Sequence, residues 1–251
     1  MRFTDRVAVV TGGGQGIGRA YCHAFAERGA AVVIADVNEG TARAVAEEVT
    51  AAGGRALAVP TDVSDKESVD AMVRRTVAEF GTVDILVNNA AVFSTLTMRP
   101  FEEIPLEEWE RVFAVNTRGV LLTTQAVAPV MKAKRYGKIV NISSSVVTTG
   151  RANYAHYVAS KGAVEAFSRA AATELGAFDV NVNLIRPHGI VTEVPRETIT
   201  DDQWDGIIAQ QALKRKGRPV DAVGAVLFFA SDESDFITGQ SLLVDAGLRY
   251  D

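Results

Sequence analysis

The chain is poor in residues that carry several common kinds of chemistry: it has one cysteine, three histidines and seven prolines in 251 residues. The lone Cys22 cannot close an intramolecular disulfide, which fits a reducing, cytoplasmic setting. With so few His and Cys, at no ligand-like spacing, a metal centre has no support. A basic excess is missing too: Lys plus Arg number 26 against 31 Asp plus Glu, for a formal charge of −5. Nucleic acid is therefore not an expected partner, because binding it takes a clustered cationic face. The longest mostly apolar run, 222–230, falls well short of the ~20 residues that span a bilayer and reads as a buried helix. Met1 to Arg6 leads straight into Val7 with neither an apolar h-region nor a small-residue cleavage site, so neither a secretory signal nor membrane attachment is expected.

What is present is ordinary globular composition, 47% hydrophobic and 23% charged, with no low-complexity tract or linker to break residues 1–251 into more than one domain. Short β-branched runs at 7–10, 31–35, 56–59, 83–87, 138–142, 180–185 and 241–244 read as seven strands. They are continuously apolar, as strands buried on both faces of a parallel sheet are. Segments 16–28, 39–52, 64–80, 106–134, 153–178 and 220–231 are long enough to be the crossover helices. The expected fold is α/β, a Rossmann-like doubly wound parallel seven-stranded sheet with helices on both faces. Only 188–217 departs from the alternation; Thr200 and Gln203 there match a capping box, with Trp204, Ile207, Ile208 and Gln211 at helical spacing. Because it follows the sixth strand at the sheet's ligand-binding edge, this segment is the candidate substrate lid.

Directly after the first strand comes Thr11-Gly12-Gly13-Gly14-Gln15-Gly16-Ile17-Gly18, then a helix. Such a turn brings backbone N–H groups to a pyrophosphate at a helix N-terminus, so Gly12, Gln15, Gly16, Ile17 and Gly18 are candidate dinucleotide contacts. Asp36 ends the second strand, where a carboxylate can accept from both adenosine ribose hydroxyls and would repel a 2′-phosphate; Gln15 and Val37 are uncharged. NAD is favoured over NADP. Tyr157 and Lys161, four apart, share one helix face, and a nearby ammonium favours a phenolate, which makes a general acid/base. The same pair on a solvated face would mean nothing. Three serines, Ser143 to Ser145, follow the fifth strand at the ligand edge and change that balance. Asn116, a poor helix former near Gly119, reads either as an exposed polar residue or as a local kink in its helix.

Along its full length, with the glycine motif, Asn, Ser and Tyr-x-x-x-Lys in order and spacing, the chain resembles the short-chain dehydrogenase/reductase family, single-domain branch. The resemblance implies one dinucleotide-binding oxidoreductase domain over 1–251 and a catalytic tetrad of Asn116, Ser144, Tyr157 and Lys161. Ser144 is chosen among the three because it lies 13 residues before Tyr157. It implies hydride transfer between nicotinamide and a secondary alcohol or ketone, with Tyr157 as acid/base and Lys161 also holding the nicotinamide ribose. Asp62 and Val63 match the adenine-contacting pair, Asn89 and Ala90 line the cofactor, and Ile190 and Thr192 reach the nicotinamide. A homotetramer through the Tyr157 helix and the C-terminal elements is implied as well, with Val158, Ala159, Ala163, Val164 and Ala166 offering apolar surface and 242–250 reaching a neighbour.

The departures are Ala91 where the family has glycine after Asn-Asn-Ala, and His188 where it has glycine after Pro187. His188 either recognises substrate through its imidazole or packs beside the cofactor, the commoner fate of a lone histidine. Phe93, Val146, Val147, Tyr154 and Trp204 are the other candidate pocket residues. Tyr154-x6-Lys161 matches the enoyl-reductase arrangement of the superfamily, against which the Ser144 to Tyr157 interval stands. The expected activity is that of an NAD-dependent alcohol dehydrogenase or ketone reductase; a 3-oxoacyl thioester reductase and a non-catalytic NAD-binding scaffold or sensor are the alternatives. The basic groups Lys132, Lys134, Arg135 and Lys214 to Lys216 are expected at helix C-termini, where cations complement the dipole.

Overall fold

The computed structural model describes residues 1–195 and 199–250. Seven strands, β1 (Val7–Thr11), β2 (Ala31–Asp36), β3 (Arg55–Pro60), β4 (Ile85–Asn88), β5 (Gly137–Ile142), β6 (Val180–Pro187) and β7 (Ser241–Val244), form one sheet in the order β3-β2-β1-β4-β5-β6-β7. Every neighbouring pair is parallel. The order reverses direction at β1 and β4, so a crevice opens above their C-terminal ends, as the doubly wound expectation required.

Alternation along β1 shows why both faces are covered: Ala8 and Val10 pack into one core layer, Val7 and Val9 into the other. The first layer is closed by α1 (Gly16–Ala26), α2 (Glu39–Ala51) and α9 (Pro219–Ala230), which contribute Tyr21, Phe25, Val45, Val226 and Phe229. The second is closed by α3 (Lys66–Phe80), α5 (Gly119–Lys134) and α7 (Ala155–Leu175), through Val69, Met72, Val127, Met131 and Leu175. Asn38 caps α2 by accepting from the Thr41 N–H, and Asp65 caps α3 by accepting from Glu67 and Ser68. The sheet's edges are blunted: β3 carries Arg55 and Pro60, and β7 has only 4 residues.

Two expectations fail in instructive ways. The single helix over 106–134 is instead α4 (Leu106–Phe113), a π-helical turn (Ala114–Arg118) and then α5. The wider turn holds Asn116, and Gly119 lets α5 approach β3's following loop so closely that a Cβ there would meet the Val63 side chain at 2.8 Å. The basic run Lys214 to Lys216 does not end a helix, because α8 (Asp201–Gln210) stops earlier. Arg215 instead grips Asp221 in the first turn of α9 with two hydrogen bonds, at 2.6 and 2.9 Å, and holds that carboxyl down to about 2. Arg135 does end α5, in the left-handed conformation.

Residues 188–217 leave the sheet and return to it: Val191 N–H donates to Gly217 O at 2.9 Å and Gly217 N–H to Gly189 O at 2.8 Å. The expected capping box at Thr200 and Gln203 opens α8, and Trp204 is buried. The stretch 196–198 of this segment lies outside the described residues. A short helix α6 (Val146–Thr149) follows β5.

Candidate active site

One cleft of about 980 Å³ runs along the C-terminal edge of the sheet, within the range of small-molecule sites. Its first wall is the glycine turn. Gly18 sits so close beneath the turn that an added Cβ would fall 2.0 Å from Gly12 O; only hydrogen fits between α1 and the loop that precedes it. The Asn89 amide braces the same loop, donating to Thr11 O and Gly12 O at 3.0 Å each, while the Thr11 hydroxyl accepts from the Asn89 and Ala90 N–H groups. Ala91 keeps a negative φ, so the methyl in place of hydrogen brings no backbone strain there.

The Gly16 N–H at the start of α1 donates to the Glu193 carboxylate at 2.8 Å. A carboxylate thus stands where an anion is favoured by unpaired N–H groups and the helix dipole. That stand-in carboxylate is the observation by which the turn fits a phosphate; Gly12 and Gly18 let the loop pack tightly against Ala90 and α1. Asp36, 9% exposed, accepts from Gly14 N–H at 2.9 Å and Asn38 N–H at 3.0 Å, which fixes its carboxylate at the end of β2. Val37 beside it is exposed, and Arg19 and Arg43 on the neighbouring helices are each engaged by a glutamate, Glu48 and Glu39. Asp62 folds an Asx turn onto Ser64, and it and Val63 line the cleft with Ile190 and Thr192.

Farther along, α7 brings Tyr157 and Lys161 to the cleft one turn apart, with the Lys161 Nζ 5.8 Å from the centre of the Tyr157 ring. Lys161 is 2% exposed; its ammonium donates to Ile142 O, the last carbonyl of β5, at 2.7 Å. Burial pushes its pKa down from the ordinary lysine value to about 8. The three serines separate cleanly by partner. Ser143 donates to Glu165 at 2.9 Å, and Ser145 bonds the His188 imidazole at 2.6 Å. The Ser144 oxygen only accepts, from Val146 N–H at 3.4 Å, and among the described residues its O–H donates to nothing while it faces the cleft. Ser144, the serine that the 13-residue interval selects, is thus the one of the three whose O–H has no acceptor among the described residues.

Asn116 is fully buried rather than exposed. Its side chain clasps the Val92 backbone, accepting from N–H at 2.8 Å and donating to C=O at 3.1 Å, and donates to Ser160 Oγ at 3.2 Å. Ser160, which the sequence did not single out, thereby ties the π turn to the residue preceding Lys161. Asn116→Ala leaves the Val92 pair without partners and is expected to cost roughly 2–3 kcal/mol, lowering the melting temperature by several degrees. An unchanged melting temperature would remove the Asn116 clasp from the account.

Phe93, Val146, Tyr154, His188 and Trp204 all line the far end of the cleft. Val147 does not: it turns back toward α7, near Gly162. Tyr154 is 1% exposed, caps the start of α7 and donates to Phe93 O at 2.5 Å; its ring lies 4.9 Å from that of Tyr157. Arg151 sits over the Tyr154 ring and Lys216 over Trp204, two cations at the cleft that spacing could not reveal. Among the described residues no three His, Cys, Asp or Glu side chains gather as metal ligands, and no helix is long and apolar enough to cross a membrane.

Residues 12–249 match the family model described as enoyl-(acyl carrier protein) reductase. Cyclopentanol dehydrogenase of Comamonas testosteroni is 36% identical over 247 residues, covering 98% of both chains. The 3-oxoacyl-acyl-carrier-protein reductase of Escherichia coli K12 is 37% identical over 249 residues, covering 99% of both. Among solved structures, 7α-hydroxysteroid dehydrogenase complexed with NADH and 7-oxo glycochenodeoxycholic acid superposes with a TM-score of 0.93 at 32% identity, covering 98% of this chain and 95% of that one.

Proposed function

The chain belongs to the short-chain dehydrogenase/reductase family, oxidoreductases of hydroxyl and keto groups, and from that premise we propose that it is an NAD-dependent dehydrogenase of secondary alcohols, or reductase of their ketones. The observation that carries the proposal is the meeting of Tyr157, Lys161 and the uncommitted Ser144 hydroxyl in the same cleft as the glycine turn. In oxidation, Tyr157 Oη accepts the substrate hydroxyl proton and Ser144 donates to the same oxygen. Lys161, charged below about pH 8, stabilises the Tyr157 phenolate, and Asn116 positions α7 through Ser160. When bound, NAD supplies the hydride acceptor through its nicotinamide ring. Gly12, Gln15, Gly16, Ile17 and Gly18 would hold its diphosphate, Asp62, Val63, Asn89 and Ala90 the adenosine side, and Lys161, Ile190 and Thr192 the nicotinamide end. We read 1–251 as one catalytic domain with 188–217 as its lid, a reading supported by the tether at Gly217 and by Trp204 in the cleft.

Asp36 supports NAD. Asp36→Ala removes two charged acceptors for the ribose hydroxyls and is expected to weaken NAD binding roughly 10–100-fold while improving NADP relative to it. Tighter binding of NADPH than NADH by the wild type would refute this cofactor assignment. Tyr154 supports ketone over enoyl chemistry, since its hydroxyl is engaged by the Phe93 carbonyl and its ring is buried. The E. coli relative keeps a second reading in view, reduction of a 3-oxoacyl thioester.

The deciding experiment follows the absorbance of NADH and NADPH with secondary alcohols, hydroxy acids, sugars and 3-oxoacyl thioesters. Turnover of alcohols with NAD supports the proposal, turnover of thioesters with NADPH the second reading; tight NADH binding with no turnover across the panel would favour a non-catalytic scaffold. A cytoplasmic homotetramer completes the proposal. Ala166, Leu242 and Tyr250 are exposed as the assembly needs, although Val164 is already buried within the subunit. Light scattering that finds a monomer at micromolar concentration would sink it.

A further inference from the structure

Three successive residues at the end of β5 each reach across to α7. The Asn141 amide donates to Ser168 Oγ at 2.8 Å, the Ile142 carbonyl accepts from Lys161 Nζ at 2.7 Å, and the Ser143 hydroxyl donates to a Glu165 carboxylate oxygen at 2.9 Å. The third of these contacts is the last before the chain turns into α6, and the catalysis described so far gives it no part. Ser143 is 2% exposed and Glu165 6%. The Ser143 oxygen also lies 3.2 Å from Lys161 O, but a hydroxyl has one proton, and the carboxylate is both the nearer and the stronger acceptor. Arg169, one turn further along α7 and largely exposed, approaches the other carboxylate oxygen only to 3.8 Å. Among the described residues, the bond from Ser143 is the one hydrogen bond that the Glu165 side chain makes.

A carboxylate is a costly side chain to bury, and a leucine or methionine would fill similar space without that cost. What the carboxylate supplies is an acceptor, and it accepts from the residue directly before Ser144. On its other side the strand is held by β6: Ser143 N–H donates to Ile185 O at 2.9 Å and Ser145 N–H to Pro187 O at 3.2 Å. Those bonds fix the main chain within the sheet, while the side-chain contacts to α7 set how the strand end stands against the helix that carries Tyr157 and Lys161. Resting on the oxidoreductase reading, we propose that Glu165 is a positioning residue for the reaction, which through Ser143 holds Ser144 in place relative to Tyr157. Neither Glu165 nor Ser143 touches the substrate in this account; both act through the serine that does.

A double-mutant cycle on the intact protein tests this, with whichever member of the substrate panel wild type turns over fastest. Glu165→Leu is expected to lower kcat about tenfold, the scale of a misplacement of a fraction of an ångström, with the NADH dissociation constant within about twofold. Glu165→Gln keeps an acceptor for the Ser143 O–H and should recover most of that loss. In a Ser144→Ala background, Glu165→Leu should cost less than about twofold, because the group it positions is gone. A loss of equal size in both backgrounds would mark a general packing effect and overturn the proposal. So would an unchanged kcat in Glu165→Leu alone, or a Glu165→Gln variant as slow as Glu165→Leu. Where Glu165→Leu fails to bind NADH, Ser143→Ala goes through the same cycle with the same expectation; loss of NADH binding there too would make the pair a requirement of the fold and overturn its role in placing Ser144. Absence of turnover across the whole panel in the wild type overturns the oxidoreductase reading, and the inference with it.

Discussion

Tyr157→Phe is expected to lower kcat by roughly 10³–10⁴-fold while leaving NADH affinity within about twofold, because it deletes the oxygen proposed as acid/base and keeps the ring. The ring itself is held by contacts a phenylalanine keeps, 4.9 Å from Tyr154 and 6.4 Å from Phe93. Tyr154→Phe is the control. It removes the hydroxyl that donates to Phe93 O, so it should perturb stability and KM more than kcat. If Tyr154→Phe abolished turnover and Tyr157→Phe did not, the acid/base assignment would pass to Tyr154. Stopped-flow measurement of the hydride step alongside fluorescence titration of NADH separates chemistry from binding in both variants.

Lys161→Met should do two opposite things. Turnover falls by at least ~10²-fold, because no ammonium remains to favour the Tyr157 phenolate. Stability at neutral pH rises. Moving the lysine from its ordinary value of 10.5 to about 8 means that the charged form is disfavoured in the fold by about 3 kcal/mol, from which the lost bond to Ile142 O subtracts about 1 kcal/mol. The sign of the pH dependence follows from the lowered folded value. The cost is present in full below about pH 8 and is relieved as pH climbs from 8 toward 10.5, where the unfolded chain holds a proton the folded one has released. Wild type should therefore gain on Lys161→Met across that window in denaturant titrations. A variant less stable than wild type at pH 7 would contradict the burial argument, and a flat difference between pH 8 and 10 would contradict the shift.

The sheet was legible because its signal is redundant: seven apolar runs, each bounded by helix-length segments, admit few other arrangements. The meeting of Tyr157 and Lys161 at the cleft was legible because they sit on one helix, where sequence distance is spatial distance. What could not be read are contacts between elements far apart in the chain. Glu193 reaches Gly16 across 177 positions and Ser145 reaches His188 across 43. The π turn was hidden for a related reason: the sequence marks Asn116 as a weak point, but the widening comes from the clasp on Val92 and the approach of Val63 to Gly119. Lys214 to Lys216 misled because a basic run before glycine ends many helices, whereas here the capture of Arg215 by Asp221 uses the run to fasten the start of the next one.

The strand order carries a consequence for the chain as it is made. β1 gains its first partner early, when residue 31 pairs with Val7, but its other side waits for Ile85 to meet Ala8. Between those events on a ribosome, a strand that will lie in the interior of the sheet presents an open row of N–H and C=O groups flanked by valines. Such an edge invites pairing with a neighbouring nascent chain. Slowed synthesis between residues 36 and 85 would lengthen that exposure, and the yield of soluble protein should be more sensitive to pauses there than to pauses after β4 has emerged.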